Sequence, residues 1–204
     1  MNRLTRYWHK PGIWVFVLGM LTSACTPHYE QQEDGQWAWV SYDEAVGKRV
    51  TPVPADPESF EILSPETFGR DAAHVFYKSG IIEGADPESF TILPKGYARD
   101  KDQVFIHTIP IVDVDPETFE ILKYPYSRDK NHIFCGTLPL LADVNAPVNV
   151  LKGGNGYSIA LTAYFIRDHP EYAFVDTALY PAVLRSDGRI RIGKEVFDGF
   201  TPVP

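Results

Sequence analysis

The sequence predicts a mainly β protein: stacked β-hairpin repeats of about 29–30 residues, each with a short helical turn, closed by a β-rich C-terminal cap. Three observations carry this expectation. Asp56-Pro57-Glu58-Ser59-Phe60-Glu61, Asp86-Pro87-Glu88-Ser89-Phe90-Thr91 and Asp115-Pro116-Glu117-Thr118-Phe119-Glu120 are near copies whose starts lie 30 and then 29 residues apart. Each is followed by Ile-Leu (Ile62-Leu63, Ile92-Leu93, Ile121-Leu122) and then by Arg-Asp (Arg70-Asp71, Arg99-Asp100, Arg128-Asp129). Each then reaches an apolar, partly aromatic run, at Val75-Phe76-Tyr77, Val104-Phe105-Ile106 and Ile133-Phe134. A period this regular is one supersecondary unit copied along the chain. A unit so short cannot bury its own apolar face, so neighbours must stack.

In chain order, residues 1–24 read as a lipoprotein signal peptide. Arg3, Arg6 and Lys10 form a positive start, and the apolar run from Ile13 to Leu21 is shorter than the roughly 20 residues a spanning helix needs. Leu21-Thr22-Ser23-Ala24-Cys25 resembles a bacterial lipobox, although Thr22 stands where Leu is usual. That resemblance implies that Cys25 is lipidated (palmitate) and becomes the mature N-terminus. Thr26, in place of the Asp associated with inner-membrane retention, implies an outer-membrane anchor facing the periplasm. Residues 25–36 are polar and read as a tether.

Residues 37–140 read as the repeat region. Trp37-Ala38-Trp39-Val40-Ser41-Tyr42 is a strand that would cap its N-terminal end. In the middle repeat, Asp86 suits an N-cap, Pro87 the first helical position and Glu88 the positive first turn. Thr91-Ile92-Leu93 is β-prone, Pro94-Lys95-Gly96 breaks it, and Asp100-Lys101-Asp102-Gln103 turns the chain into Val104-Phe105-Ile106. Phe60, Phe90 and Phe119 recur at the repeat spacing and are expected in the core, whereas Tyr97, Tyr124 and Tyr126 lie near turns and are expected at the surface.

Residues 141–204 read as a capping segment of the same domain. Leu140-Leu141-Ala142-Asp143-Val144 approaches a fourth repeat, but no Pro-Glu-Ser-Phe follows. Ser158–Ile166 suits a short helix or a strand. Ala182–Arg185 and Arg189–Ile192 flank Ser186-Asp187-Gly188, a hairpin signal. Thr201-Pro202-Val203-Pro204 repeats Thr51-Pro52-Val53-Pro54 and reads as a half-unit.

Asp129-Lys130-Asn131, with the near match Asp100-Lys101-Asp102, precedes a β-aromatic run and alternates with Asp-Pro-Glu-Ser-Phe. Over roughly residues 47–140 this resembles the DKNYY repeat family of bacterial envelope and secreted proteins. The resemblance implies the fold and an envelope location, and no particular activity. Asp71-Ala72-Ala73-His74 keeps only the Asp of the motif.

The formal charge is −8, and removal of residues 1–24 lowers it to −11. A surface that acidic repels nucleic acid and favours solubility or a basic protein partner. With Cys25 lipidated, Cys135 has no partner within the chain, so neither a disulfide framework nor a cysteine zinc site can form. No cofactor or metal site is expected. His74 and His132 occupy corresponding turns two repeats apart, and the acids already serve turns and lack the roughly six to eight convergent oxygens that calcium wants. Gly153-Gly154-Asn155-Gly156 has no following Lys-Ser or Lys-Thr, so it reads as a loop and not a phosphate cradle. The expected function is a non-catalytic outer-membrane lipoprotein that binds a protein partner in the periplasm, such as an immunity protein occluding an envelope-targeting toxin. Tyr157, Tyr164, Tyr172 and Tyr180 are the candidate partner-binding residues, since specificity should lie where the repeat pattern fails. The alternatives are a glycan- or cell-wall-binding structural lipoprotein and an envelope enzyme or accessory subunit using Asp168, His169 or Glu171.

Overall fold

A computed structural model describes residues 26–63 and 67–204. Cys25 and the signal segment lie outside these residues. The described chain is mainly β, with a single short α-helix and small antiparallel sheets. Among the described residues, no helix is long and apolar enough to cross a membrane.

Strands β1 (His28–Gln31), β2 (Trp37–Asp43) and β3 (Gly47–Pro52) form a three-stranded N-terminal sheet. Unit one is the four-stranded meander β4 (Glu61–Ile62), β5 (Phe68–Arg70), β6 (Val75–Tyr77) and β7 (Gly80–Ile81). Unit two repeats it as β8 (Thr91–Ile92), β9 (Tyr97–Arg99), β10 (Val104–Ile106) and β11 (Ile109–Pro110). Unit three does so as β12 (Glu120–Lys123), β13 (Tyr126–Arg128), β14 (Ile133–Cys135) and β15 (Leu138–Pro139). Each unit is thus larger than the expected hairpin, because a short strand is added on either side of it. The Asp-Pro-Glu segments are turns without a helix.

The fourth unit is present but interrupted. After β16 (Val148–Lys152) the chain leaves to form β17 (Tyr157–Leu161), α1 (Thr162–Asp168) and β18 (Ala182–Ser186). It returns as β19 (Arg189–Ile192), β20 (Glu195–Asp198) and β21 (Thr201–Val203), which complete the sheet β16-β19-β20-β21. Lys152 pairs with Arg189 as Lys123 pairs with Tyr126 in unit three. The insertion therefore occupies the turn between the first and second strands.

Three expectations are corrected here. Ser186-Asp187-Gly188 is not a hairpin, because β18 pairs with β17 while β19 pairs with β16 and β20. Thr201-Pro202-Val203 is not a half-unit but the fourth strand of a complete one. Ser158–Ile166 is a strand and then a helix, in that order.

Proline marks the fourth strand. Phe105, Phe134 and Phe197 pair with Pro110, Pro139 and Pro202, and Ala38 pairs with Pro52 in the N-terminal sheet. Proline lacks an N–H and is tolerated on an edge strand that has no further neighbour to bond.

The core lies between units. Phe68, Val75 and Ile82 of unit one pack with Phe90, Ala98 and Phe105 of unit two. Tyr126, Ile133 and Cys135 of unit three pack with Ile190, Ile192 and Phe197 of unit four. Each motif phenylalanine lies on an aromatic of the preceding sheet: Phe60 on Tyr29 of β1 at 5.2 Å, and Phe90 and Phe119 on Phe68 and Tyr97, which open the second strands of units one and two, at 5.9 and 5.6 Å between ring centroids. Tyr97 and Tyr126 are therefore fully buried rather than surface residues. Their hydroxyls donate to the carbonyls of Pro125 and Gly199, and that of Tyr29 to Thr67.

The recurrent polar residues hold the turns. The Asp100 carboxylate accepts the N–H of Asp86 (2.9 Å), Asp102 (2.8 Å) and Gln103 (2.7 Å). Asp71 and Asp129 do the same in their units, and all three aspartates are buried. Burial pushes the Asp71 carboxyl upward, but the three N–H donors outweigh it and hold it below its ordinary range. Lys101 and Lys130 reach Asp86 and Asp115, and Arg70 and Arg99 donate to the carbonyls of Pro87 and Pro116 in the following unit. The Asp-Lys-Asn signature is thus scaffolding. Cys135 is fully buried, and burial pushes its thiol up to about 12, the mark of an inert core thiol.

Candidate functional site: a basic groove and the insertion beside it

An antiparallel meander sends its turns to opposite edges of the stack. The second-to-third turns and the Asp-Pro-Glu segments share one edge, where Glu58, Glu88, Asp102 and Glu117 are exposed. The first-to-second and third-to-fourth turns share the other edge, and there the residue types change. Lys95, Lys123 and Lys152 stand at the first-to-second turn of units two, three and four, and Lys78 and His107 at the third-to-fourth turn of units one and two.

Between these turns lies a cavity of about 780 Å³, a volume typical of small-ligand sites. Lys95, Lys123 and Lys152 line it together with His107, Tyr124 and Tyr157, and no carboxylate does. His107 stacks on Tyr77 at 5.0 Å and lies 5.4 Å from Tyr157, so three aromatic rings run along the edge. Burial and the Lys78 charge both lower the His107 pKa, so the ring is neutral at neutral pH and the positive charge of the groove belongs to lysines.

The floor is tightly fitted. The Gly154 N–H donates to the Tyr124 carbonyl at 2.9 Å, and a Cβ on Gly154 would fall 1.9 Å from the Asp187 carbonyl oxygen. Asp187 accepts the N–H of Asn155 and Gly156, pinching the two ends of the insertion together. The Gly156 N–H above all, and beyond it the Asn155 N–H and the Lys152 charge, hold the Asp187 carboxyl below its usual range. Gly153–Gly156 is thus a loop, as its sequence suggests, but one packed against unit three.

The four candidate tyrosines do not converge. Tyr157 is exposed and lines the groove. Tyr164, on α1, is 61% exposed. Tyr180 is partly buried, and its hydroxyl accepts the Asp113 N–H. Tyr172 is a correction: it is 2% exposed, packs with Phe165 and Val183, and donates to the Pro139 carbonyl. It anchors the insertion to the stack and offers no surface to a partner. What the tyrosine reading missed is a larger apolar surface on the same insertion, with Ile159, Leu161, Phe174 and Leu179 all more than half exposed. Asp168 turns to Arg167, and His169 stacks on Phe165 with Glu171 3.3 Å from its Nδ1. The sequence did hold a signal for the groove, since Lys95, Lys123 and Lys152 recur 28 and 29 residues apart, at the repeat period.

The architecture is an open stack of β-meander units, the last of them interrupted by an insertion. Residues 97–184, from the second strand of unit two into β18, match the model of the DKNYY family. No curated protein and no solved structure matches the chain.

Proposed function

We propose that the chain is a non-catalytic lipoprotein, anchored through Cys25 in the outer membrane and facing the periplasm, that binds a protein partner through its insertion. The observation that supports this is the apolar surface of the insertion. Ile159 and Leu161 stand exposed on β17, which among the described residues pairs with β18 alone and leaves its other edge open. Tyr164, Phe174 and Leu179 extend the same exposed apolar character along the insertion. Exposed apolar side chains concentrated on one segment, beside a free strand edge, are features of a protein interface. In this reading an envelope-acting toxin is the kind of partner such a domain would neutralise, because occlusion needs contact and no catalysis.

Two measurements test it. Labelling cells with an alkyne fatty acid should mark the wild-type chain and not Cys25→Ser, and equal label in both refutes the anchor. Affinity capture of the chain from its own envelope, followed by calorimetry with the protein that co-purifies, tests the surface. Phe174→Ser and Leu179→Ser should each weaken that binding by roughly tenfold or more with little change in melting temperature. Unchanged binding in the double variant removes the insertion from the interface.

A further inference from the structure

We infer that the groove between Lys95, Lys123 and Lys152 binds a short oligosaccharide carrying carboxylate or phosphate groups. This site is separate from the protein-binding surface proposed above and does not depend on it.

Charge is the first argument. The chain has more acidic than basic residues, with a formal charge of −8, yet three lysines and no carboxylate line this cavity. The three come from three successive units and meet only because their turns share an edge. Low-dielectric walls that carry one sign of charge concentrate ions of the opposite sign. The acidic remainder of the surface restricts such binding to a ligand short enough to stay within the groove.

Backbone conformation is the second argument. Among the described residues, Lys78, Lys95, His107 and Asp113 are the non-glycine residues with positive φ. Three of them, Lys78 (57°), Lys95 (65°) and His107 (55°), stand on this edge. At the turn where units one and two place Lys78 and His107, units three and four place Gly136 and Gly199, both at 61°. Glycine takes this conformation without strain, whereas other L-residues take it at a cost. Lys78 and His107 are kept where the other two units use glycine, and strain of this kind accumulates at binding sites.

The lining chemistry defines the ligand type. The groove is lined by turn residues and by no more than the last or first one or two residues of β12, β16 and β17, so it offers no long row of backbone partners to a peptide. It offers the rings of Tyr124, Tyr157 and His107, on which the apolar C–H face of a sugar can lie, with Asn155 and the tyrosine hydroxyls available to sugar hydroxyls. The lysines then read the acidic substituents.

Calorimetry on the full chain in detergent tests this with three probes: tetragalacturonate, its fully methyl-esterified form and inorganic phosphate. Tetragalacturonate should bind at low salt and weaken as salt rises, and the neutral ester should not bind. Lys95→Gly, Lys123→Ala and Lys152→Ala should each raise Kd roughly tenfold, while Lys194→Gln on the opposite edge leaves it unchanged. Lys95→Gly should keep or raise the melting temperature, so its loss of binding cannot come from unfolding. Equal binding of acid and ester, or wild-type affinity in the triple lysine variant, overturns the proposal. Binding of phosphate without tetragalacturonate overturns the saccharide assignment.

Discussion

Asp100→Ala is expected to destabilise the chain by about 2–4 kcal/mol, because it strips three part-buried N–H groups of a shared acceptor. Asp100 is 4% exposed and ties the Asp86 turn to the Asp102–Gln103 turn of the same unit. The neighbouring Asp102 is exposed and lends only its backbone to the turn, so Asp102→Ala should cost less than about 0.5 kcal/mol. Urea denaturation of the two variants side by side makes the comparison, and equal midpoints would falsify the clip. Charge reversal at Asp100 would accordingly unfold the unit before it reported on any interface. The equivalent Asp71 has its pKa lowered by folding, so its clip is in place above the ordinary aspartate range and is lost as pH falls through the folded value.

Phe90→Ala should cost about 3–5 kcal/mol through the cavity it leaves. Phe90 bridges two units, touching Phe68 before it and Phe105 within its own unit at centroid separations of 5.9 and 6.3 Å. In a stack whose core lies between neighbours, this loss falls on the interface that couples unit one to unit two. The melt should also become less cooperative, with the N-terminal sheet and unit one separating from the rest. A Phe90→Ala variant that melts as sharply and at the same temperature as wild type would contradict an inter-unit core.

Much of the scaffold was legible in the sequence, because near-identical residues at a fixed period can only mean a copied unit. The motif phenylalanines, the Asp-Lys turns and the inert Cys135 reflect local chemistry that tertiary packing then reused. The fourth unit was not legible. Asp143 keeps the turn by accepting the Asn145 N–H, but Pro147 stands where a phenylalanine is expected, and the insertion pushes the remaining three strands out of the repeat spacing. Ser186-Asp187-Gly188 carries genuine turn chemistry, yet a turn residue cannot say whether the strands on either side join the same sheet. Tyr97 and Tyr126 looked exposed because they neighbour turns in sequence, and Tyr172 because it lies where the repeat pattern fails. They are buried because stacking supplies a ceiling that one unit alone lacks. The groove is the extreme case: its lysines are far apart along the chain, and only the two-edged geometry of a meander brings them together.

The pinch at Asp187 has a consequence for how this protein can change over generations. The insertion departs and returns at one point of the scaffold, where Asp187 holds Asn155 and Gly156. To the fourth unit it is simply a long turn, and doubling the length of such a loop costs only about 0.6 kcal/mol of closure entropy. Sequence drift within residues 157–180 is thus weakly coupled to the stability of the stack, apart from the Phe165, Tyr172 and Val175 anchors that seat it. Relatives sharing this scaffold are free to diverge in the inserted surface while their turns stay fixed. The inserted surface can be rewritten without renegotiating the fold.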